Sequence, residues 1–424
     1  MKPLYINQYE DAFFFESKII VVNYVKPGIN FFDTDSVSNV INTFSKNTDS
    51  MVNNFLKKYK LNENQSSRKA TLTLIPSYNC NMACEYCFEG RMPISEVNKK
   101  KGFTQFLKKL IESYHYTSCD FILLGGEPVL SGNLEIFKEY ISEARNLLQV
   151  DDIICVTNGL EVKKYYGLLK KIGITKYQIT LDGMEKVHNL RRPAKNKSVN
   201  SFLTVCKTID FLIDQNEDLE IRINVDQNNI AEINKIIQLA FDTKWYRAVN
   251  KGLRIYAYPV SENGVCSNIC YSSEADLLKL ILDELNALPI YKRIVSIRVH
   301  GIDFIDALCN NKFFSPILKF CGANSNQFVF TPNGNVYPCW WGHQDKCNVI
   351  GNYEDDVHIK QEVLSQWNLR DIMNIKECKN CKYKLLCGGG CTYKAQENKG
   401  TINCGNCADF YSIFKYYLRY KYDL

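Results

Sequence analysis

The chain has 424 residues and a formal net charge of +6, and 46% of its residues are hydrophobic and 12% aromatic. This length suits two or three domains, and no apolar run is long enough to cross a membrane. The N-terminus lacks the charged-then-apolar pattern of a signal peptide, so we expect a cytoplasmic protein. Eighteen cysteines in such a chain indicate metal or redox chemistry rather than disulfides. Iron-bound thiolates would offset most of the positive charge, which therefore predicts no nucleic-acid partner.

Residues 1–66 are predicted to form a small α+β domain. Two strand-like runs, 12–16 and 18–24, precede two helical stretches at about 35–45 and 50–59. A polar segment at 62–68 is typical of a linker. An ordinary hairpin that covers the next domain is the alternative.

The fold class predicted for residues 70–300 is α/β, as a partial (β/α)6 barrel of the TIM type. Apolar, β-rich runs alternate there with helical segments, and such alternation favours parallel strands joined by right-handed crossovers. Ligands of parallel sheets bind at the carboxyl ends of the strands. The six predicted strands are 71–76, 121–125, 153–157, 177–181, 219–225 and 253–258, and helical spacing predicts helices at 103–114 and 274–288.

The most informative motif follows the first of these strands. Cys80, Cys84 and Cys87 lie in the run Cys-Asn-Met-Ala-Cys-Glu-Tyr-Cys. Three thiolates can bind three irons of a four-iron cluster and leave the fourth iron open to a small molecule, whereas closed clusters use four cysteines. Half of a zinc site is the alternative for three close cysteines.

The triplet and the strand ends downstream of it resemble the radical SAM superfamily. The resemblance implies that the open iron binds S-adenosylmethionine (SAM), whose reductive cleavage gives a 5′-deoxyadenosyl radical, so that the three cysteines are the catalytic centre. It also implies that the Gly-Gly-Glu-Pro segment after the second strand bonds the amino group of SAM, that Tyr86 packs by the adenine, and that Thr180 lies near the ribose or carboxylate. Each polar residue could singly be a cap or turn residue instead. The implied SAM contacts are Tyr86, Gly125, Gly126, Glu127, Pro128, Asn158, Thr180, Asp182, Arg222 and Asn224.

Residues 301–424 carry a second set of cysteines, whose spacing resembles the SPASM extension of radical SAM enzymes. That extension holds two auxiliary four-iron clusters. The resemblance implies that Cys321, Cys339 and Cys391 bind the first of them. Its fourth ligand stays open between Cys347, Cys309 and no residue at all.

The second auxiliary cluster is implied to bind Cys378, Cys381 and Cys387, with Cys407 as the last ligand. Cys407 is preferred to Cys404 because a terminal helix is predicted at 408–417, and a thiolate at its start meets the positive end of the helix. Two Cys-x-x-Cys pairs also fit a zinc ribbon, but that interpretation leaves Cys387 unexplained.

Enzymes with this extension modify peptides and proteins, and residues 1–66 resemble the leader-recognition domain found in many of them. The resemblance therefore implies a precursor peptide with a leader as substrate, and a flavodoxin or ferredoxin as reductant. Sulfatase maturases carry an Asp immediately after the cysteine of the Gly-x4-Cys element, where this chain has Trp340. We expect a thioether crosslink from cysteine, because an auxiliary iron with an open site could bind a substrate thiolate. Carbon–carbon crosslinking, epimerisation, formylglycine formation in sulfatases and a non-enzymatic electron carrier are the alternatives.

Overall fold

The computed structural model divides the chain into two compact units, and each is described by itself. The first unit comprises 1–67, 299–324 and 369–424, and the second comprises 68–298 and 325–368. The three-domain division at 1–66, 70–300 and 301–424 stays a prediction. None of the described helices has the length and apolar composition that spanning a bilayer requires. The structure describes residues 10–14, 18–24, 28–33, 69–90, 92, 101–249, 251–260, 273–289, 291, 293–310, 312, 317–354 and 356–423.

The strands and helices are numbered here in chain order. The strands are β1 (Glu10–Phe14), β2 (Lys18–Asn23), β3 (Gly28–Asp33), β4 (Lys69–Leu74), β5 (Ser118–Leu123), β6 (Gln149–Thr157), β7 (Lys176–Thr180), β8 (Asp218–Val225), β9 (Leu253–Pro259), β10 (Val295–Ile297), β11 (Gln327–Phe330), β12 (Asn335–Tyr337), β13 (Gly351–Asn352) and β14 (His358–Ile359). The helices are α1 (Phe103–Tyr114), α2 (Ser131–Arg145), α3 (Val162–Ile172), α4 (Glu185–Arg191), α5 (Ser201–Asp214), α6 (Glu232–Asp242), α7 (Trp245–Ala248), α8 (Glu274–Asn286), α9 (Ile302–Cys309), α10 (Gln361–Leu369), α11 (Lys384–Cys387), α12 (Thr392–Lys399) and α13 (Phe410–Tyr422).

The second unit is built on one sheet with the strand order β10-β9-β8-β7-β6-β5-β4-β11-β12-β13-β14. Strands β4 to β10 run parallel, and β11 pairs parallel with β4, whereas β12, β13 and β14 pair antiparallel. All six predicted parallel strands and both predicted helices are present, and the α/β fold class is confirmed. The sheet is wider than predicted, with β10 at one edge and β11 to β14 at the other. These strands were not predicted because they are too short to show a periodic pattern.

Helix α1 shows why these segments fold as they do. Its apolar residues Phe103, Phe106, Leu107 and Leu110 recur at three- and four-residue spacing and are all buried. The rings of Phe103 and Phe106 pack edge-on against Phe330 of β11, which stabilises the helix on the sheet. Burying one such side chain contributes about 1.5–3 kcal/mol, and truncating a buried Phe to Ala costs about 3–5 kcal/mol.

The first unit contains a separate antiparallel sheet of strand order β1-β2-β3. The two predicted N-terminal strands are present as β1 and β2, and the third strand, β3, was not predicted. The predicted helices at 35–45 and 50–59 and the linker at 62–68 lie outside the described residues. The terminal helix predicted at 408–417 is present as α13, which begins two residues later, after the cap residue Asp409, whose side chain accepts a hydrogen bond from the Ser412 N–H.

A buried carboxylate ties this N-terminal sheet to the cysteine-rich segment of the same unit. Asp11 of β1 is fully buried, and its carboxylate accepts hydrogen bonds from the hydroxyl groups of Tyr24, at 2.8 Å, and Tyr383. It also forms an ion pair with Lys382. Tyr383 and Lys382 directly follow Cys381, so the sheet and this cysteine loop share one polar core.

Candidate active site

The cysteine triplet lies in the loop that follows β4 in the second unit. All three residues are partly buried. Burial raises the pKa of Cys80 to about 11 and that of Cys87 to about 12, and the neighbouring thiols add to both shifts. The Cys80 sulfur accepts a hydrogen bond from the Met82 N–H at 3.4 Å and lies 3.8 Å from the Asn158 amide nitrogen. These three thiols are neighbours with little solvation of their own, so a metal cluster would supply the positive charge that thiolates need there.

The Gly-Gly-Glu-Pro loop after β5 lies against the backbone that leads into the triplet. Gly125 and Gly126 have φ angles of +95° and +45°, in the left-handed region that favours glycine. The Glu127 N–H donates to the Asn79 carbonyl at 2.8 Å. A Cβ atom on Gly126 would lie 2.1 Å from that same carbonyl oxygen. The absence of side chains at these two positions therefore lets the loop approach within hydrogen-bonding distance of the residue before Cys80.

The Glu127 carboxylate joins the ends of β5 and β6. It is buried, and it accepts hydrogen bonds from the Thr157 hydroxyl at 2.6 Å, the Asn158 N–H at 2.7 Å and the Val129 N–H at 2.8 Å. Pro128 lies in the same loop, next to Glu127. The three donors leave Glu127 a positioning role that fixes Asn158 beside Cys80.

A second buried carboxylate, Asp182, organises the polar residues near β7 and β8. It accepts hydrogen bonds from the Tyr86 hydroxyl and, at 3.0 Å, from the Asn224 N–H. The Tyr86 hydroxyl also accepts hydrogen bonds from Arg192, at 2.6 Å, and from the Asn224 amide, at 3.1 Å. The Arg222 Nε donates to the Asn224 side-chain oxygen at 2.7 Å. Tyr86, Asp182, Arg222 and Asn224, all expected SAM contacts, thus form one network that starts from the residue before Cys87.

Thr180 and the helix after β7 complete this end of the sheet. Thr180 is buried at the end of β7, in register with Arg222. Arg191 pairs with Asp226 at 2.8 Å, and the charges of Arg192 and Arg191 add to burial in lowering the pKa of His188 to about 3. His188 is therefore a neutral imidazole, and it accepts a hydrogen bond from the Asp182 N–H through Nδ1 at 3.3 Å.

Three residues that the sequence did not single out also lie at this site. Arg192 is buried, and the charges of Cys84 and Tyr86 outweigh burial and keep its pKa well above the ordinary value. Glu89 accepts a hydrogen bond from the Gly126 N–H at 2.8 Å, and burial raises its pKa to about 7. His343 packs against Phe88, which follows the triplet. Its position two residues after Cys87 was the only sequence signal for Glu89.

In the first unit the structure brings together the predicted ligands of the second auxiliary cluster. Burial raises the pKa of Cys378 to about 11 and that of Cys387 to about 12, and charges on Cys381 and Cys407 add to both shifts. The Cys404 thiol instead donates to the Thr401 carbonyl at 3.4 Å. The choice of Cys407 over Cys404 as the fourth ligand stays a prediction.

The predicted ligands of the first auxiliary cluster are divided between the two units. Cys321 and Cys391 belong to the first unit, where desolvation and then the charge of Cys391 raise the pKa of Cys321 to about 11. Cys339 and Cys347 belong to the second unit. Cys309, the alternative ligand, shares a hydrogen bond with Tyr422 of α13.

Within the described ranges, no group of three or more His, Cys, Asp or Glu side chains is arranged to hold a single metal ion. A four-iron cluster distributes its cysteines over separate irons, so this finding concerns mononuclear sites such as a zinc ribbon. All sixteen cysteines in the described part of the chain are free thiols.

Comparison with known proteins identifies the chemistry of the site. The model of the radical SAM superfamily matches residues 74–211, which contain the triplet and the first strand ends around it. The chain contains a radical SAM domain. It is 26% identical over 365 residues to a cysteine-type anaerobic sulfatase-maturating enzyme of Clostridium novyi, covering 80% of this chain and 92% of that relative. It is also 21% identical to the radical SAM cyclopropyl synthase TigE of Paramaledivibacter caminithermalis, over 90% of this chain and 84% of that relative.

Two groups of solved structures share the fold of the enzyme. The anaerobic sulfatase-maturating enzyme anSMEcpe, with bound AdoMet and the Kp18Cys peptide, has a TM-score of 0.62 at 21% identity and covers 84% of this chain and 98% of its own. Streptococcus suis SuiB, bound to its precursor peptide SuiA, has a TM-score of 0.56 at 13% identity and covers 95% of this chain and 98% of its own. The fold likeness to SuiB thus extends over more of the enzyme.

Proposed function

We propose that the enzyme matures a ribosomally made peptide by forming a thioether between a cysteine sulfur and a carbon atom. The observation that carries the proposal is that the N-terminal sheet and the cysteine-rich C-terminal segment belong to one compact unit. Among the described strands, β1 and β3 are the two edges of that sheet. An exposed strand edge can bind an extended peptide by adding it as a further strand. A leader peptide is the partner that this edge suits.

The residues of the second unit supply the radical chemistry. When bound, an iron–sulfur cluster and SAM provide one-electron cleavage and a carbon radical. Cys80, Cys84 and Cys87 would hold the cluster, and the bare backbone of Gly126 lets the Gly-Gly-Glu-Pro loop lie against the residue before Cys80. Asp182 keeps the Tyr86 hydroxyl and the neighbouring amide groups in fixed orientations.

The residues of the first unit supply the auxiliary redox sites in this proposal. Cys378, Cys381, Cys387 and Cys407 would hold one cluster, and their proximity in the structure supports this set. Cys321 and Cys391 would take part in the other. A flavodoxin or ferredoxin would supply the electrons. The sixteen free thiols suit the reducing cytoplasm, where we place the enzyme.

The test is anaerobic incubation of the reconstituted enzyme with SAM, a reductant and a peptide encoded beside its gene. We expect a product about 2 Da lighter, with one thiol lost, because a thioether forms with the net loss of two hydrogens. Cys84→Ser removes a cluster ligand and should abolish the product, whereas Cys206→Ser, on helix α5, should not. A product of unchanged mass that takes up deuterium from the solvent contradicts thioether formation and indicates epimerisation. A product about 2 Da lighter with its thiols intact indicates carbon–carbon crosslinking.

Anaerobic sulfatase maturation is the second candidate, favoured by the relative that is 26% identical over 92% of its own length. Trp340 counts against sulfatase maturation, because sulfatase maturases have an Asp at the corresponding position, immediately after the cysteine of the Gly-x4-Cys element. A peptide that carries the active-site cysteine of a sulfatase distinguishes the two functions. Formylglycine would be detected as an aldehyde that reacts with a hydrazide, and its formation would establish the second candidate.

A further inference from the structure

Arg370 is one of the largest fully buried side chains of the first unit. Its guanidinium donates four hydrogen bonds, all to backbone carbonyl groups. The acceptors are the carbonyls of Ile402 at 2.6 Å and of Gly389, Gly390 and Cys404 at 2.9 Å each. The side chain is therefore held in one position by two separate stretches of the C-terminal segment.

No carboxylate pairs with Arg370 among the residues that the structure describes. The buried Arg191 of the second unit, by contrast, pairs with Asp226 at 2.8 Å. A buried charge is costly unless an opposite charge compensates it, and carbonyl dipoles compensate only part of that cost. The positive charge of Arg370 thus requires anions that are not carboxylates.

Thiolates are the anions that the fold provides. The Gly389 and Gly390 carbonyls that accept from Arg370 lie between Cys387, of the predicted second auxiliary set, and Cys391, of the first. Burial lowers the pKa of Arg370, and charges on Cys391, Cys378 and Cys321 act in the opposite direction. Arg370 therefore lies beside ligands of both sets within one unit.

The backbone that Arg370 holds lies between ligands of the two sets. The Gly-Gly-Gly turn at 388–390 connects Cys387 to Cys391, and Gly389 and Gly390 have φ angles of +86° and +72°. A Cβ atom on Gly390 would lie 1.9 Å from the Asn406 carbonyl oxygen. The turn thus has a conformation that needs glycine, and two guanidinium hydrogen bonds fix it.

We propose that Arg370 is a positioning residue shared by the two auxiliary clusters, which fixes the turn between Cys387 and Cys391 and supplies positive charge to the thiolates of both sets. The proposal rests on the proposed function only in that it needs the auxiliary clusters. A cation stabilises the reduced, more negative form of a nearby redox centre, so Arg370 raises the reduction potential of each cluster that it faces. Its removal should lower these potentials.

The test is a redox titration of the reconstituted, full-length enzyme, followed by electron paramagnetic resonance. At a fixed solution potential, we expect Arg370→Gln to lower the reduced-to-oxidised ratio of an auxiliary cluster at least tenfold, which is about 59 mV for a one-electron couple. Arg370→Lys keeps the charge and should leave that ratio within tenfold of wild type. Arg145→Gln is the matched control, because Arg145 donates to the Ile172 carbonyl at 3.0 Å in the second unit and should change neither cluster.

Each outcome either supports or overturns the proposal. An unchanged reduced-to-oxidised ratio of the auxiliary clusters in Arg370→Gln overturns the proposal. A tenfold or larger change of this ratio in Arg370→Lys overturns it as well, and this second variant decides the question even if Arg370→Gln does not fold. A wild-type enzyme with about four irons per chain instead of about twelve would refute the auxiliary clusters themselves, and the proposal with them. The iron content of the wild type thus separates failure of the proposed function from failure of the role of Arg370.

Discussion

Replacing Gly126 by alanine places a methyl group where the chain has no room for one. The new Cβ would lie 2.1 Å from the Asn79 carbonyl oxygen, whereas real Cβ atoms essentially never come closer than 3.0 Å. The backbone before Cys80 or the Gly-Gly-Glu-Pro loop must therefore move by about 1 Å, and a shift of this size can cost about 10²-fold in rate. The left-handed φ of +45° adds about 1–2 kcal/mol of strain for any residue with a side chain.

The assay is SAM binding and 5′-deoxyadenosine formation by the anaerobically reconstituted enzyme. We expect Gly126→Ala to weaken SAM binding at least tenfold and to lower the rate of 5′-deoxyadenosine formation by about 10²-fold. Gly167→Ala is the matched control, because nothing lies within 4 Å of a Cβ at this position in helix α3. Alanine there should stabilise the helix by about 0.5–1 kcal/mol without changing SAM binding. Equal SAM affinity and equal rates in both variants would refute the role given to the loop.

Three further predictions concern Asp11, Cys407 and His188. Asp11→Asn removes the negative charge that pairs with Lys382 and should destabilise the first unit by about 3–5 kcal/mol in denaturant unfolding. Asp303→Asn, at an exposed position, should have little effect. Equal unfolding free energies in the two variants would contradict a stabilising role for the Asp11 carboxylate. Cys407→Ser should lower the iron content by up to about four per chain and Cys404→Ser should not, and the reverse result would exchange their roles. His188 has a folded-state pKa of about 3, below its ordinary value of 6.5, so on acidification the unfolded chain takes up a proton that the folded chain does not. The contribution of His188 to the free energy of unfolding should therefore fall by about 2 kcal/mol between pH 7 and pH 5. His188→Gln should lack this pH dependence of stability, as measured by denaturant unfolding at both pH values.

The parallel sheet could be predicted because each of its long strands combines apolar β-branched residues with a helix that follows. The short strands β11 to β14 could not, since two to four residues carry no periodicity. The site could be placed at the carboxyl ends of the strands for the same topological reason. Its polar network could not be predicted, because the contacts of Tyr86 with Asp182 and Arg192 join residues about a hundred positions apart along the chain.

The C-terminal cysteines were predicted as a set, since their spacing resembles that of the SPASM extension. The environment of each sulfur could not be predicted from the spacing. The thiol of Cys404 donates to a carbonyl, whereas Cys407 adds its charge to those of its neighbours. The buried cation Arg370 had no sequence signal, because its four partners are backbone carbonyls from two stretches of the chain.

The most direct test of radical peptide modification is the transfer of deuterium from the substrate to 5′-deoxyadenosine. A candidate precursor peptide would be synthesised with deuterium at the carbon that becomes bonded to sulfur, and the 5′-deoxyadenosine formed by the enzyme would be analysed by mass spectrometry. Hydrogen abstraction from the peptide predicts 5′-deoxyadenosine about one mass unit heavier, formed together with the modified peptide. Unlabelled 5′-deoxyadenosine alongside a modified peptide, or modification without any 5′-deoxyadenosine, would contradict the account.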